Sequence, residues 1–286
     1  MDDIQKLNLL KTEQLQEIEA LEKACVHVEP LQPKLNWDML AQPQASQSLY
    51  LLTYRAGKLV GFLGLYAIDP TGREIELTGM VHPDYRRRGI FGKLYTAALA
   101  ECKAWKIPRV LLIAEQAAAA GTHFAQAVGG RYTVSEYRMC FPGVTAPDFP
   151  QHGLRLRKAD RQDFDVLQQL DAVSFGSAMA ELPSAVAERY YGSTYVGELD
   201  GKIIGKIGID QERAAGYIFG FGIRPEYRGR GFGRELLGLM MLRCVEEQIH
   251  PVLLEVAVQN AKALSLYRSC GFEVVTVYQY YQIDLD

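Results

Sequence analysis

A constant offset of 142 residues lays the second half of this chain on the first. Subtracting it takes Pro225 to Pro83, Tyr227 to Tyr85, Arg228 to Arg86, Gly231 to Gly89, Val252 to Val110, Leu254 to Leu112 and Gly271 to Gly129. Two hairpin-like stretches also match, at a spacing of 144: Gly57-Lys58-Leu59-Val60-Gly61 and Gly201-Lys202-Ile203-Ile204-Gly205. Identities spread over such a length at one spacing mean two copies of one structural unit. With 286 residues, each copy is long enough to bury its own core.

The most informative stretch of the second copy runs from Ile223 to Leu237. Before it, Tyr217 to Ile223 is an apolar run as short as a buried strand; after it, Leu236, Leu237, Leu239, Met240 and Leu242 recur at helical spacing. The glycines between them, Gly229, Gly231 and Gly233, therefore stand where a strand hands over to a helix. The first N–H groups of a helix have no partner within it, the helix dipole adds positive charge there, and glycine lets the backbone close on a bulky anion. Such a junction suits a phosphate, although a plain turn has the same composition. A dinucleotide fingerprint needs Gly-x-Gly-x-x-Gly, and a P-loop needs Gly-Lys followed by Ser or Thr. Neither occurs at this junction.

Arg228-x-x-Gly231-x-Gly233 resembles the pyrophosphate-binding motif of the GNAT superfamily of acyl-CoA N-acyltransferases. Downstream, Val252-Leu253-Leu254-Glu255-Val256 is similar to the family's fifth strand, and Asn260-x-x-Ala263-x-x-Leu266-Tyr267-x-x-x-Gly271-Phe272 to the helix after it. The resemblance implies an α/β (α+β) fold of two GNAT-like domains, each a mixed, mainly antiparallel sheet flanked by helices, with a splayed strand pair that receives CoA. The tandem plan resembles that of the mycothiol synthases. In the first copy Glu255 maps to Ile113, Asn260 to Ala118, Tyr267 to Ala125 and Gly233 to Phe91. The polar groups needed for chemistry are thus absent there, while Arg86, Arg88 and Gly89 remain to meet a CoA phosphate. The expected division is a degenerate domain over 1–141, a linker over 142–153 holding three prolines and two glycines, and a catalytic domain over 154–286.

A net charge of -3 and a pI near 6.0 argue against a nucleic-acid partner. The five cysteines, Cys25, Cys102, Cys140, Cys244 and Cys270, are scattered and odd in number, as reduced thiols would be. The acidic start, Met1-Asp2-Asp3, is unlike a signal peptide, and no apolar run approaches the ~18 residues of a membrane span. A cytoplasmic protein is expected, a monomer or weak homodimer, with no membrane partner. The histidines show no metal spacing, so no metal is expected.

Periodicity predicts a helix over Thr12–Cys25 with Thr12 as its cap, and a short helix near Trp37 to Leu40. A hairpin of Leu49 to Tyr54 with Leu59 to Ala67 follows, then the strand Ile75 to Val81 and a helix to Trp105. Next come the strand Val110 to Ala114, a helix within Ala117 to Val128 and a closing strand Val134 to Phe141. The second copy repeats this order, with Asp160 as a helix cap and a further helix from Pro183 to Tyr191.

Acyl transfer from a thioester to an amine needs a free lone pair on the amine, stabilisation of the oxyanion and a proton for the departing thiolate. Glu255 lies on the strand face opposite Val252, Leu254, Val256 and Val258, among apolar neighbours that would raise its pKa and suit a base. The alternative is a buried Glu neutralised by an Arg or Lys. Leu-Glu-Val five residues before the Asn also resembles the ribosomal-protein alanine N-acetyltransferases, in which that Glu is taken as the base. Tyr267, on the helix the family sets beside the CoA sulfur, is the implied acid; its other reading is a core tyrosine. Asn260 reads as a helix cap or as a contact to the pantetheine arm. By resemblance, Phe221, Gly222 and Ile223 present the strand edge that polarises the acyl carbonyl and pairs with pantetheine, and Arg228, Gly229, Arg230, Gly231, Phe232, Gly233 and Arg234 hold the phosphates. The acceptor pocket is expected between the segment Ser174 to Tyr191 and the closing tyrosines Tyr278, Tyr280 and Tyr281.

The implied activity is acetyl-CoA-dependent N-acetyl transfer to the primary amine of a small molecule, directly within a ternary complex. A protein N-terminal acetyltransferase and a non-catalytic acyl-CoA-binding regulator stand as alternatives.

Overall fold

The structure is a computed structural model that describes residues 4–40, 48–67, 72–176, 192–212 and 215–285. It divides into two compact units, one of Met1–Glu136 with Thr276–Asp286, the other of Tyr137–Val275. The chain passes between them at 136/137 and 275/276, so the segment 142–153 lies within the second unit and not at a boundary. The helix read from Pro183 to Tyr191 lies outside the described residues.

In the first unit the strands β1 (Ile4–Leu7), β2 (Leu49–Arg55), β3 (Lys58–Tyr66), β4 (Glu74–Val81) and β5 (Arg109–Glu115) lie in that order. The C-terminal strand β12 (Glu273–Asp284) then runs antiparallel to β5, with Tyr278 opposite Glu115 and Asp284 opposite Arg109. The first residues of β6 (Arg131–Phe141) lie next, where Thr133 Oγ1 donates to the Tyr280 carbonyl at 3.1 Å. Helices α1 (Thr12–Val28) and α2 (Trp37–Leu40) cover one face, and α3 (Ile90–Ala104) and α4 (Ala119–Ala127) the other. Both faces being covered, β3 is buried from Leu59 to Tyr66. Two local expectations change. Thr12 begins α1 without capping it, because the N–H of Lys11 donates to Gln14 Oε1 at 2.8 Å and Lys11 is the cap residue. Strand β1, too short and mixed for the sequence to signal, adds to the edge of β2.

The second unit has the order β6, β11 (Val252–Ala257), β10 (Ala215–Ile223), β9 (Lys202–Glu212), β8 (Thr194–Leu199) and β7 (Arg155–Lys158). Its main core lies on one face, where α6 (Phe232–Glu246) and α7 (Ala261–Ser269) pack Leu236, Leu237, Met240, Met241 and Tyr267 on Ile204, Ile218, Leu254 and Val256. Met139 and Phe141 of β6 belong to that core. On the other face, α5 (Phe164–Phe175) follows Asp160, whose Oδ1 accepts from the Gln162 N–H at 2.7 Å as the sequence predicts. That face carries Lys206, Asp210, Tyr217 and Glu255.

Each unit contains a parallel strand pair that parts. β4 meets β5 only over Glu74–Leu77 and Arg109–Leu112, and β10 meets β11 only over Gly216–Ile218 and Val252–Leu254. Of the two strands β4 and β10 that lead into these gaps, β10 carries a bulge. β4 pairs with β3 without a shift, whereas β10 slips against β9 between Phe219 and Gly222, with Gly220 in the left-handed region at φ 56°. A bulge leaves its extra residue out of the ladder and bends the strand.

Candidate active site

The glycine cradle forms as the sequence predicts. Gly229 and Gly231 have φ of 72° and 89°, and Gly231 is the cap residue of α6. The first helical bond runs from the Glu235 N–H to the Gly231 carbonyl at 3.1 Å, so the N–H groups of Phe232, Gly233 and Arg234 have no partner within the helix. A Cβ on Gly231 would stand 2.5 Å from His152 Nε2, so a side chain there would have to displace the exposed imidazole as well as adopt the left-handed backbone. At Gly233 a Cβ would meet Leu266, Ile223 and Phe221 at 3.5–3.7 Å, ordinary contact that leaves room for nothing much larger. In the first unit Gly89 keeps the left-handed turn at φ 75°, but Phe91 fills the equivalent of Gly233. Its ring stands edge-on to Phe124, centroids 4.8 Å apart, and Phe124 is the counterpart of Leu266.

The three arginines of the motif do different work. Arg228 donates from Nε to the Ile223 carbonyl at 2.7 Å and from Nη2 to the Val173 carbonyl at 3.3 Å. Arg86, its counterpart, likewise donates to the Val81 carbonyl at 3.3 Å, so this arginine clasps the strand end in both copies. Arg234 bonds Ser269 Oγ at 2.8 Å. Arg230 is exposed, packed over the rings of Tyr227 and Phe232 at 5.7 and 5.3 Å, with no hydrogen-bond or ion-pair partner among the described residues. It is the motif arginine with donors to spare.

The stretch 142–153 is pinned to this helix. The N–H groups of His152, Gly153 and Leu154 all donate to Glu235 Oε1, at 2.9, 3.1 and 3.0 Å, and the ring of Phe149 lies where Gly238 has no side chain. Glu235 is buried. Three converging amides around one carboxylate oxygen satisfy it and fix the approach to the cradle.

Tyr267, on α7, is 7% exposed, with ring centroids 6.1 Å from Phe221 and 6.0 Å from Phe272. Burial pushes its pKa up to about 12, so the phenol keeps its proton at neutral pH. Its hydroxyl has no hydrogen-bond partner among the described residues. Asn260 caps α7 through Oδ1, which accepts from the Ala263 N–H at 3.2 Å.

Glu255 stands on β11 on the half-buried face, with Val252, Leu254 and Val256 buried on the other, as the alternation predicts. Its surroundings differ from the apolar ones expected. Arg138 of β6 donates to Glu255 Oε1 from Nε at 3.2 Å and Nη2 at 3.0 Å, and the guanidinium lies 6.0 Å from the ring centre of Tyr217. Glu255 and Tyr267 therefore flank β11 from opposite faces, both beside the gap that opens beyond Ile218 and Leu254.

The closing tyrosines belong to the first unit, which takes β12 from Thr276 onward. There Tyr280 bonds Lys34 and Glu136, the Lys34 ammonium lies 5.7 and 5.1 Å from the ring centres of Tyr278 and Tyr280, and the Tyr278 hydroxyl donates to the Gln32 carbonyl at 2.7 Å. The segment 177–191, the other expected wall, lies outside the described residues; Ser174 contacts the bulge at Gly222.

Sequence reasoning missed Arg138, whose strand had been assigned to the first half, and a buried ion pair of Lys206 with Asp171. Burial lowers the Lys206 pKa, and Asp171 opposes that shift. The pair had a signal, a single lysine within Ile203-Ile204-Gly205-Lys206-Ile207-Gly208-Ile209. Among the described residues no group of His, Cys, Asp and Glu is placed to hold a metal, no helix is long and apolar enough to cross a membrane, and the five cysteines are free.

The acetyltransferase (GNAT) family model matches this chain twice, over residues 12–129 and 160–272. The mycothiol acetyltransferase of Thermobispora bispora is 29% identical over 286 residues, spanning 90% of this chain and 92% of that protein. Among solved structures, a GCN5-related N-acetyltransferase from Sphaerobacter thermophilus superposes with a TM-score of 0.79 at 17% identity, covering 99% of this chain and 96% of that one. A tandem GNAT protein from the clavulanic acid biosynthesis pathway gives 0.73 at 17% identity, with 99% of each chain covered. At such identity the solved structures speak to the fold.

Proposed function

Given that the chain belongs to the acetyltransferase (GNAT) family and is an N-acetyltransferase, we propose that it carries an acetyl group from acetyl-CoA directly to the primary amine of a small molecule, and that the second unit does so. The observation that carries this reading is the difference between the two copies. The second has an open cradle at Gly231 and Gly233, a bulge in β10 and a buried, protonated tyrosine beside the strand gap; the first has Phe91 in the cradle, a regular β4 and Ala125 in place of the tyrosine. The near-full-length match to a mycothiol acetyltransferase supports a small-molecule acceptor over a protein one.

The residues fit acetyl-CoA, which supplies the activated thioester when bound. The N–H groups of Phe232, Gly233 and Arg234, with Arg230, hold the phosphates. The edge of β10 from Phe221 to Ile223 offers backbone groups for strand addition by the pantetheine amides, and the bulge frees N–H groups for the acyl oxygen. A primary amine has a reference pKa of ~10.4 and arrives protonated, so Glu255 takes its proton from the half-buried face of the sheet. Tyr267 gives its proton to the departing sulfur from the other face. The five free cysteines support a reducing, cytoplasmic setting.

Calorimetric titration of acetyl-CoA into the protein, with Gly231→Asp and Gly89→Asp alongside, tests the assignment. Gly231→Asp forces a side chain into the left-handed region against His152 and brings negative charge to the phosphates; a cost of about 2 kcal/mol or more would weaken binding roughly 30-fold. One site, lost with Gly231→Asp and untouched by Gly89→Asp, is the expected result. Two sites would overturn the assignment to the second unit alone, and no binding would overturn the reading as a whole. Transfer is then followed with a panel of amino sugars, amino acids and polyamines.

A further inference from the structure

We infer that Arg138 is a positioning residue for the transfer reaction, holding the Glu255 carboxyl in place, so that a strand encoded in the first repeat completes the site of the second. The inference rests on the reading of Glu255 as the base. Arg138 reaches Glu255 with two nitrogens on one oxygen, at 3.2 and 3.0 Å, and both side chains are largely buried, at 15% and 13% exposure. The guanidinium is itself flanked by the ring of Tyr217 on β10, the strand that borders the gap. Three adjacent strands, β6, β11 and β10, thus supply an arginine, a carboxylate and an aromatic ring on one face.

The internal repeat separates this role from simple folding. Under the 142-residue offset, Glu255 corresponds to Ile113 and Arg138 to Tyr280. In the first unit Ile113 and Tyr280 are partners in the β5–β12 register. The same two positions, one on the central strand and one on the strand beside it, are therefore filled in the copy without the open cradle by an isoleucine and a tyrosine whose hydroxyl bonds Lys34 and Glu136, and by an ion pair in the copy with it. Because burying an ion pair gains little over other well-packed residues, stability alone gives little reason for one between two positions that the fold also fills without it. A base that must meet an incoming amine, by contrast, needs a fixed carboxyl, and a small misplacement of a reacting group costs rate steeply.

The experiment is a double-mutant cycle on kcat, using acetyl-CoA and the best acceptor of the amine panel, with Arg138→Met, Glu255→Gln and the two combined. Arg138→Met is expected to lower kcat by about tenfold to a hundredfold, leaving acetyl-CoA affinity unchanged, and Arg138→Lys to recover part of the loss. In the Glu255→Gln background, Arg138→Met should add nothing. An equal loss in both backgrounds would overturn the inference, showing a structural role independent of Glu255, as would an unchanged kcat in Arg138→Met alone. If Glu255→Gln leaves kcat unchanged, the base assignment fails and the inference with it; if Glu255→Gln slows transfer while Arg138→Met is additive, only the inference fails. The combined Glu255→Ile and Arg138→Tyr variant, which copies the pair of the first unit, controls for folding. It should melt as the parent does and bind acetyl-CoA, yet transfer slowly.

Discussion

Residues 154–286 produced alone are expected to give no acetyl-CoA-binding protein, whereas residues 137–275 are expected to give one. A cut at 153/154 follows the sequence repeat, but it removes Met139 and Phe141, which are 0% and 7% exposed in the core of the second unit. It also removes Phe149 from its seat on Gly238, and takes the N–H groups of His152 and Gly153 from the buried Glu235. Losing large core side chains costs roughly 2–5 kcal/mol each, and two of the three hydrogen bonds to the buried Glu235 carboxylate go with them. The sum reaches the ~5–15 kcal/mol that hold a typical domain together. What the cut leaves behind, Thr276 to Asp284, has lost its partner strand β5 and exposes the apolar faces of Tyr278, Tyr280 and Tyr281. Far-UV circular dichroism with thermal melting, followed by acetyl-CoA titration, decides the matter. Normal melting and binding by 154–286 would refute the unit boundaries.

Tyr267→Phe is expected to lower kcat by about a hundredfold or more, within the range of a lost general acid, while acetyl-CoA affinity and folding stay close to the parent's. The substitution keeps the ring against Phe221 and Phe272 and breaks no hydrogen bond among the described residues, so stability should change by less than about 1 kcal/mol. Pre-steady-state release of free thiol, monitored with a thiol reagent, gives the rate of the step directly. An unchanged rate would return Tyr267 to the status of a core tyrosine. Alkaline titration offers a second view. Burial raises the phenol from its ordinary value of 10.0 to about 12, so its contribution to stability is complete below pH ~10 and is lost as the pH climbs through 12. The Phe variant lacks that contribution, and its melting temperature should fall less across this interval.

The repeat, the cradle and the position of Glu255 on its strand were legible because each rests on local spacing: glycines at a strand-to-helix junction, alternation along β11, one offset along the chain. The ends of the repeats were not. Which strand closes a sheet is decided by pairing between residues far apart, and the sequence equivalence of β6 and β12 gives no sign that β12 completes the first unit's sheet and β6 the second's. The same blindness hid Arg138, read with its neighbours in sequence, and gave Tyr278, Tyr280 and Tyr281 to the second unit, whereas they belong to the first. Arg228 also has a role that spacing does not show. Its motif position is right, but the carbonyl that ends β10 takes its Nε, a contact visible only once the strand and turn are in three dimensions.

The pairing of β12 with β5 joins residues more than 150 positions apart, since Tyr281 lies opposite Leu112. During synthesis, β5 leaves the ribosome with no strand to complete its free side until residues 278–284 follow. The second unit, Tyr137–Val275, meets no such delay; every part of it has been made before Thr276. Long-range strand pairing is slow, and an open apolar sheet edge is exposed to wrong partners while it waits. The half of the molecule that is translated first is thus the half that is finished last, and the second unit is ready before it.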